Sequence, residues 1–220
     1  MTTNDSRVVE IFRTFNETIK PLIAEVEAVK QKFPIELLNE IRALFDHLAR
    51  CYLPDSTEAT INQQLRKAES HITRILLDCY KNLILYEHDL MVRFDKQSKS
   101  IDLFSIDNGS FARNYFRLRK EAIHGLRNAK RNENSNSLTD DEKIGYFADA
   151  YHKYLEVEML IDDKYGQVKW ASIRYRIKTI FHQMKTAVVW LSSLILGAIA
   201  GAIVSDNWTS IKSFFVGLFK

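Results

Sequence analysis

Glycine, proline and cysteine are scarce in this chain of 220 residues, and each shortage excludes a class of protein. There are seven glycines and three prolines, and the first glycine is Gly109, so the first half of the chain can hold few tight hairpin turns. This excludes a β-sandwich or β-barrel. The absence of a glycine-rich phosphate loop excludes P-loop NTPases and dinucleotide-binding dehydrogenases. Cys51 and Cys79 form neither a disulfide framework nor a metal-binding pattern.

The chain also lacks a dominant charge and an apolar core at its N-terminus. Its 31 Lys and Arg residues against 28 Asp and Glu residues give a net charge of +3. The opening segment, MTTNDSRVVE, is too polar for a secretory signal. We therefore expect a body that remains in a reducing, cytosolic setting.

One long uncharged run is the clearest feature of the sequence. Twenty residues, Thr186 to Ser205, contain no charge. At 1.5 Å per residue such a helix is about 30 Å long, which matches the hydrocarbon core of a bilayer. The alternative is a buried core helix of a soluble domain, but ordinary core helices are amphipathic and this run is apolar on all sides. The run predicts a single transmembrane helix over residues 185–206 that contacts membrane lipid.

The flanks of the run predict its ends and its orientation. Trp190 and Trp208 stand near its two ends, where tryptophan favours the headgroup region, and Lys185 precedes it directly. The nearby basic residues are Lys169, Arg174, Arg176, Lys178 and Lys185 upstream, against Lys212 and Lys220 downstream. The positive-inside rule therefore places the N-terminal body in the cytoplasm.

Small and polar residues inside the run suggest how copies of the chain could associate. Gly197 and Gly201 form a small-xxx-small motif, which Ala198 and Ala202 repeat one position later. Such residues allow close helix packing in lipid. The polar groups that could face a lumen are Ser192, Ser193 and Ser205. Residues 207–220 form a short amphipathic segment that predicts an interfacial tail.

Residues 1–184 predict an all-α cytoplasmic bundle. The expected helices cover about 5–32 with Pro21 inside, 34–52, a segment that begins at a cap at Asp55 and whose apolar stripe reaches Leu90, and 111–131. Residues 96–110 are expected to form a loop. The capping box Thr139-x-x-Glu142 begins the last cytosolic helix. No proline follows it, so this helix is expected to run almost continuously into the membrane.

Arginine and histidine at short separations are the one pattern with catalytic potential. Arg119 precedes His124 by five residues, and Gly125 follows; Arg42 and His47 are the second choice. The pairs Arg66/His71 and Arg176/His182 are interpreted as helix-surface coincidences, and Arg42 with Asp46 as an ordinary ion pair. No zinc pattern occurs, so we expect neither a metal nor a cofactor.

A basic stretch overlaps the first pair. Its members are Arg113, Arg117, Lys120 and Arg127, with Tyr115 and Phe116 interleaved. Such a stretch can meet RNA phosphates or an acidic partner. A solvated helix face is the alternative, because Glu121 interrupts the stretch.

The segment from Arg119 to Gly125 resembles the Arg-x4-6-His motif of HEPN-domain ribonucleases, in which histidine is a general acid or base and arginine stabilises phosphate charge. Lys120 departs from the motif, where the family carries a small polar residue such as Asn. We therefore expect a non-catalytic HEPN-like bundle, and a membrane-tethered ribonuclease is the alternative.

The whole layout resembles the small membrane accessory protein, of the Csx kind, that is encoded beside the RNA-guided RNase of type VI-B CRISPR systems. This resemblance implies a homo-oligomeric pore, octameric, in the bacterial inner membrane. The pore would depolarise that membrane once the partner nuclease recognises phage transcripts. A membrane scaffold for the nuclease is a further alternative.

Overall fold

The computed structural model describes residues 3–209 and 212–213, and within them every regular element is helical. The elements are α1 (Thr3–Thr14), a π-helical turn (Phe15–Ile19), α2 (Lys20–Lys30), α3 (Ile35–Arg50), α4 (Glu58–Ser98), two 3₁₀ turns (Leu103–Ser105 and Asp107–Gly109), α5 (Ser110–Asn132), α6 (Asp140–Asp163) and α7 (Tyr165–Asp206). The described part contains no strand, so the predicted all-α class is confirmed at that level.

Helix α4 is the centre of the body, because α1, α2, α3 and α6 all pack against it and α5 packs against α6. Its apolar residues recur every three to four positions and are buried at Leu65, Ala68, Ile75, Cys79 and Leu83. The helix continues to Ser98, three residues into the predicted loop of residues 96–110. The largest fully buried side chains belong to α5 and α6: Tyr115, Tyr154, Phe111 and Phe147.

Local signals explain how several helices begin. The capping box at Thr139 and Glu142 is present as predicted. The cap of α4 is Thr57, whose hydroxyl accepts from the Thr60 N–H, so the prediction of Asp55 as the cap was wrong by two residues.

Pro21 lies inside a continuous helical stretch. A wider π turn precedes it, with the Lys20 N–H donating to the Phe15 carbonyl, which makes room for the proline ring.

The helix that was predicted to run almost continuously from Thr139 into the apolar run is interrupted at one residue. Lys164 leaves the helical region (φ −105°, ψ 10°) and separates α6 from α7.

The loop of residues 99–109 has more structure than predicted, since it contains both 3₁₀ turns and packs Ile106 into the core. Ala171 is the last buried residue of the described chain, and from Ile173 onward the described side chains of α7 are exposed. The division into 1–184, 185–206 and 207–220 remains a prediction.

Candidate functional site

The 42-residue helix α7 carries a long, exposed apolar surface. Its Tyr165–Ser205 part is long and apolar enough to cross a membrane, with a mean hydropathy of 2.3 over its most apolar window, none of which is buried. Trp190 and Trp208 are both exposed, as is Lys185. At 1.5 Å per residue, the 18 residues from Trp190 to Trp208 span about 27 Å, close to the thickness of a hydrocarbon core. Of the predicted tail, residues 210–211 and 214–220 lie outside the described part.

The small residues of α7 form an open ridge. A Cβ added at Gly197 or Gly201 would meet no atom within 4 Å, and Ala198 beside them is exposed. The side chain of Ala202 lies outside the described part. None of the described residues covers the ridge, so another surface can approach it closely.

The three predicted lumen serines do not share one face of α7. Ser192 donates its hydroxyl to the Val188 carbonyl at 2.7 Å, and Ser193 donates to the Val189 carbonyl at 2.9 Å. Each hydroxyl group therefore already has a hydrogen-bond acceptor within α7. By helical periodicity, Ser192 lies on the side opposite Gly197, Ser193 lies beside Gly197, and Ser205 is about 140° from Ser192.

Arg119 is held by a partner that the motif did not indicate. Its Nε donates to Asp95 Oδ2 at 2.9 Å, and the Tyr115 hydroxyl donates to Asp95 Oδ1 at 2.6 Å. Burial and this bond raise the pKa of Tyr115 well above its usual range. The three residues join α4 to α5 around one half-buried carboxylate.

His124 is not part of that cluster. It lies five residues after Arg119, about 140° around α5, and its side chain is exposed. The structure therefore does not bring Arg119 and His124 together on one side of the helix. Packing against α6 explains the glycine at position 125 without the motif, because a Cβ there would lie 3.2 Å from Lys153 and 3.5 Å from the Ala150 backbone.

A different histidine lies close to the Arg119 cluster. His88 Nδ1 is 3.0 Å from the hydroxyl of Tyr154, which comes from α6. Burial raises the pKa of Tyr154 to about 12, although the Arg119 guanidinium opposes that rise. The sequence pattern gave no reason to select His88, because no arginine precedes it at the motif spacing.

The second predicted pair also separates, and its histidine has another partner. Arg42 is exposed, whereas His47 Nδ1 lies 2.7 Å from Gln64 Oε1 on α4. The His47 ring stacks on His71 with centroids 5.2 Å apart, and His71 Nδ1 is 2.6 Å from Glu40 Oε2.

These contacts correct two interpretations of the sequence. His71 is a half-buried residue in a polar contact between α3 and α4 and not a surface coincidence. Asp46 pairs with Arg50 at 2.8 Å, so the expected pair with Arg42 was wrong.

The predicted basic face is exposed along α5 at Arg113, Arg117, Lys120 and Arg127. Arg117 is paired with Glu121 at 3.0 Å, which reduces the charge that this face offers to a phosphate. No group of three or more His, Cys, Asp or Glu residues in the described part is placed to hold a metal ion.

Comparison of the chain with protein-family models, with curated proteins and with solved structures finds no match.

Proposed function

We propose that this protein is a single-pass membrane protein whose copies assemble through α7 into a pore that depolarises the membrane. The observation that carries the proposal is the exposed ridge of Gly197, Ala198 and Gly201 on an apolar helix that leaves the packed body. One helix per chain can line a pore only when several chains assemble. In lipid, close backbone contact at small residues is a principal source of such assembly.

The proposed orientation keeps the helical body in the cytoplasm of a bacterium, with α7 in the inner membrane. The basic residues on the N-terminal side of the run, including Arg174, Lys178 and Lys185, support this orientation. Protease added to intact spheroplasts should leave the body uncut, and cleavage there would reverse the topology.

The body is proposed to be a non-catalytic, HEPN-like bundle. Arg119 is engaged with Asp95, and His124 stands apart from it in solvent. A general acid or base and a phosphate-stabilising arginine must reach the same reacting group, so this separation favours a structural role for Arg119. We therefore propose no enzymatic activity and no cofactor for this chain. We propose RNA binding at the basic face of α5 only as a secondary activity.

The proposed biological role is to enhance antiphage defence by an RNA-guided CRISPR RNase. It rests on the resemblance in layout described above, together with the proposed octameric assembly. Co-expression with such a nuclease and its target transcript should cause a greater loss of membrane potential than the chain causes alone.

Reconstitution tests the pore itself. The purified full chain should form ring-shaped oligomers in detergent, visible by negative-stain electron microscopy, and should release a small dye from liposomes. A monomer that releases no dye would contradict the proposal. RNA cleavage by the chain that disappears in His124→Ala would establish the ribonuclease instead.

A further inference from the structure

A cavity of about 310 Å³ lies where α4, α6 and the first turns of α7 meet. Its apolar walls come from all three helices and include Leu90, Met91, Phe94, Val157, Ile161 and Val168. This volume is within the range of small-ligand sites. Because the lining comes from both sides of the break at Lys164, an occupant would contact the body and α7 at the same time.

A buried carboxyl group lines this apolar cavity. Glu87 on α4 is only 5 % exposed, and within the described part of the chain it has no hydrogen-bond or ion-pair partner. Burial, together with the nearby carboxylates of Glu158, Glu25 and Asp162, raises the pKa of Glu87 to about 7. An ionised carboxylate in such surroundings is stabilised by a cation that hydrogen-bonds to it.

The charges that face Glu87 favour a cationic ligand. Glu158 and Asp162 line the cavity from α6, and Glu25 adds negative charge from α2, where it accepts a hydrogen bond from Tyr151. Arg93 is the one cation among the described residues of the lining. Its side chain is exposed, and its Nε donates to the Asp89 carbonyl at 3.4 Å. The potential in the cavity is therefore negative.

The side chains that line the cavity favour an organic cation over a metal ion. No three acidic, His or Cys side chains of the described residues are placed to hold a metal ion, which needs several ligands at about 2–2.5 Å. An alkylammonium ion needs only one or two carboxylates for its head. Its chain can then cover the apolar walls formed by residues such as Met91 and Val157.

We propose that this cavity is a binding site for an aliphatic amine, with the ammonium group on Glu87 and the alkyl chain against α4, α6 and α7. The site does not depend on pore formation. Binding requires ionised Glu87, so affinity increases as the pH rises from 6 to 8.

Calorimetric titration of the full chain in detergent tests the site, with hexylammonium as the probe and 1-hexanol as its neutral match. We expect saturable binding of hexylammonium at pH 8 and at least tenfold weaker binding of hexanol. Glu87→Gln should weaken hexylammonium binding at least tenfold. The control is Glu156→Gln, an exposed residue of α6 outside the cavity, and it should leave binding unchanged.

Three results would overturn the proposal: no saturable binding of hexylammonium, equal binding of hexanol, or full binding by Glu87→Gln. If Glu87→Gln does not fold, Asp162→Asn replaces it, because Asp162 is exposed at the rim. This variant should weaken binding about threefold, the size expected of a partly exposed charge pair. Unchanged affinity in Asp162→Asn would then count against the site.

Discussion

The ammonium group of Lys164 lies 3.0 Å from the carboxylate of Asp107, and this ion pair joins the break between α6 and α7 to the turn that precedes α5. The backbone at Asp107 and Asn108 is in the left-handed region. The two carboxylates of Asp107 and Asp163 raise the pKa of Lys164. The start of α7 is therefore tied to the body by a contact between segments far apart in sequence.

Loss of that contact should loosen the base of α7. Asp107→Asn removes the charge but keeps the shape, so we expect severalfold faster tryptic cleavage after Lys164. Asp163→Asn is the matched control, because Asp163 also pairs with Lys164, at 3.2 Å, but lies next to it in the chain. Equal cleavage rates in Asp107→Asn and the unmodified protein would show that other contacts hold the junction.

The stability of the body should fall as the pH rises from about 5 to 8. The pKa of Glu87 is about 7 in the fold against an ordinary value of 4.5, so between these values the folded state binds more protons than the unfolded state. This group therefore contributes stability at low pH, up to about 3 kcal/mol, that is lost through pH 7. Thermal unfolding in detergent at several pH values measures the loss.

Glu87→Gln should remove most of this pH dependence and raise the melting temperature at pH 8 by several degrees. A smaller slope should remain, because burial also raises the pKa values of Asp78 and Glu158. Glu156→Gln should behave like the unmodified protein. A pH profile that is the same in Glu87→Gln would contradict the assignment of the slope to Glu87.

Arg119 should matter for stability and His124 should not. Arg119→Ala leaves the half-buried Asp95 carboxylate with the Tyr115 hydroxyl as its remaining partner, and a loss of about 1–2 kcal/mol is expected. Since His124 is exposed, His124→Ala should change the melting temperature little. Equal destabilisation by both variants would show that His124 has a packing role.

The small-residue ridge should be required for assembly. Replacing Gly197 and Gly201 by leucine forces neighbouring helices apart while making membrane insertion more favourable. The double variant should remain in the membrane fraction but lose both large oligomers and dye release. Ile195→Leu with Ile199→Leu, on the opposite side of α7, is the control and should retain both. A Gly197→Leu/Gly201→Leu protein that still assembles would show that the helical body holds the oligomer together.

The parts of the fold that could be predicted from the sequence depend on local signals. Thr139 and Glu142 cap a helix within a single turn, and the α4 stripe repeats at helical spacing, so both follow from neighbouring residues. The break at Lys164 has only Gly166, two residues later, as a local signal, and its pair with Asp107 is 57 residues distant, so the local pattern did not place the break.

The candidate sites were less predictable for the same reason. Arg119 was selected by its spacing from His124, but its partner Asp95 comes from another helix. His71 and Glu40 meet across α3 and α4, and the spacing of Arg66 and His71 carries no information about that contact. The burial of Glu87 depends on α6 and α7 packing beside it, which no pattern within α4 indicates.

Replacement of residues 186–205 by an unrelated single transmembrane helix tests the pore most directly, with membrane potential in cells as the readout. If α7 forms the pore, the hybrid chain should reach the membrane with an intact body but no longer depolarise it. A hybrid that depolarises the membrane as well as the natural chain would rule out a pore formed by α7, because any membrane anchor would then be sufficient.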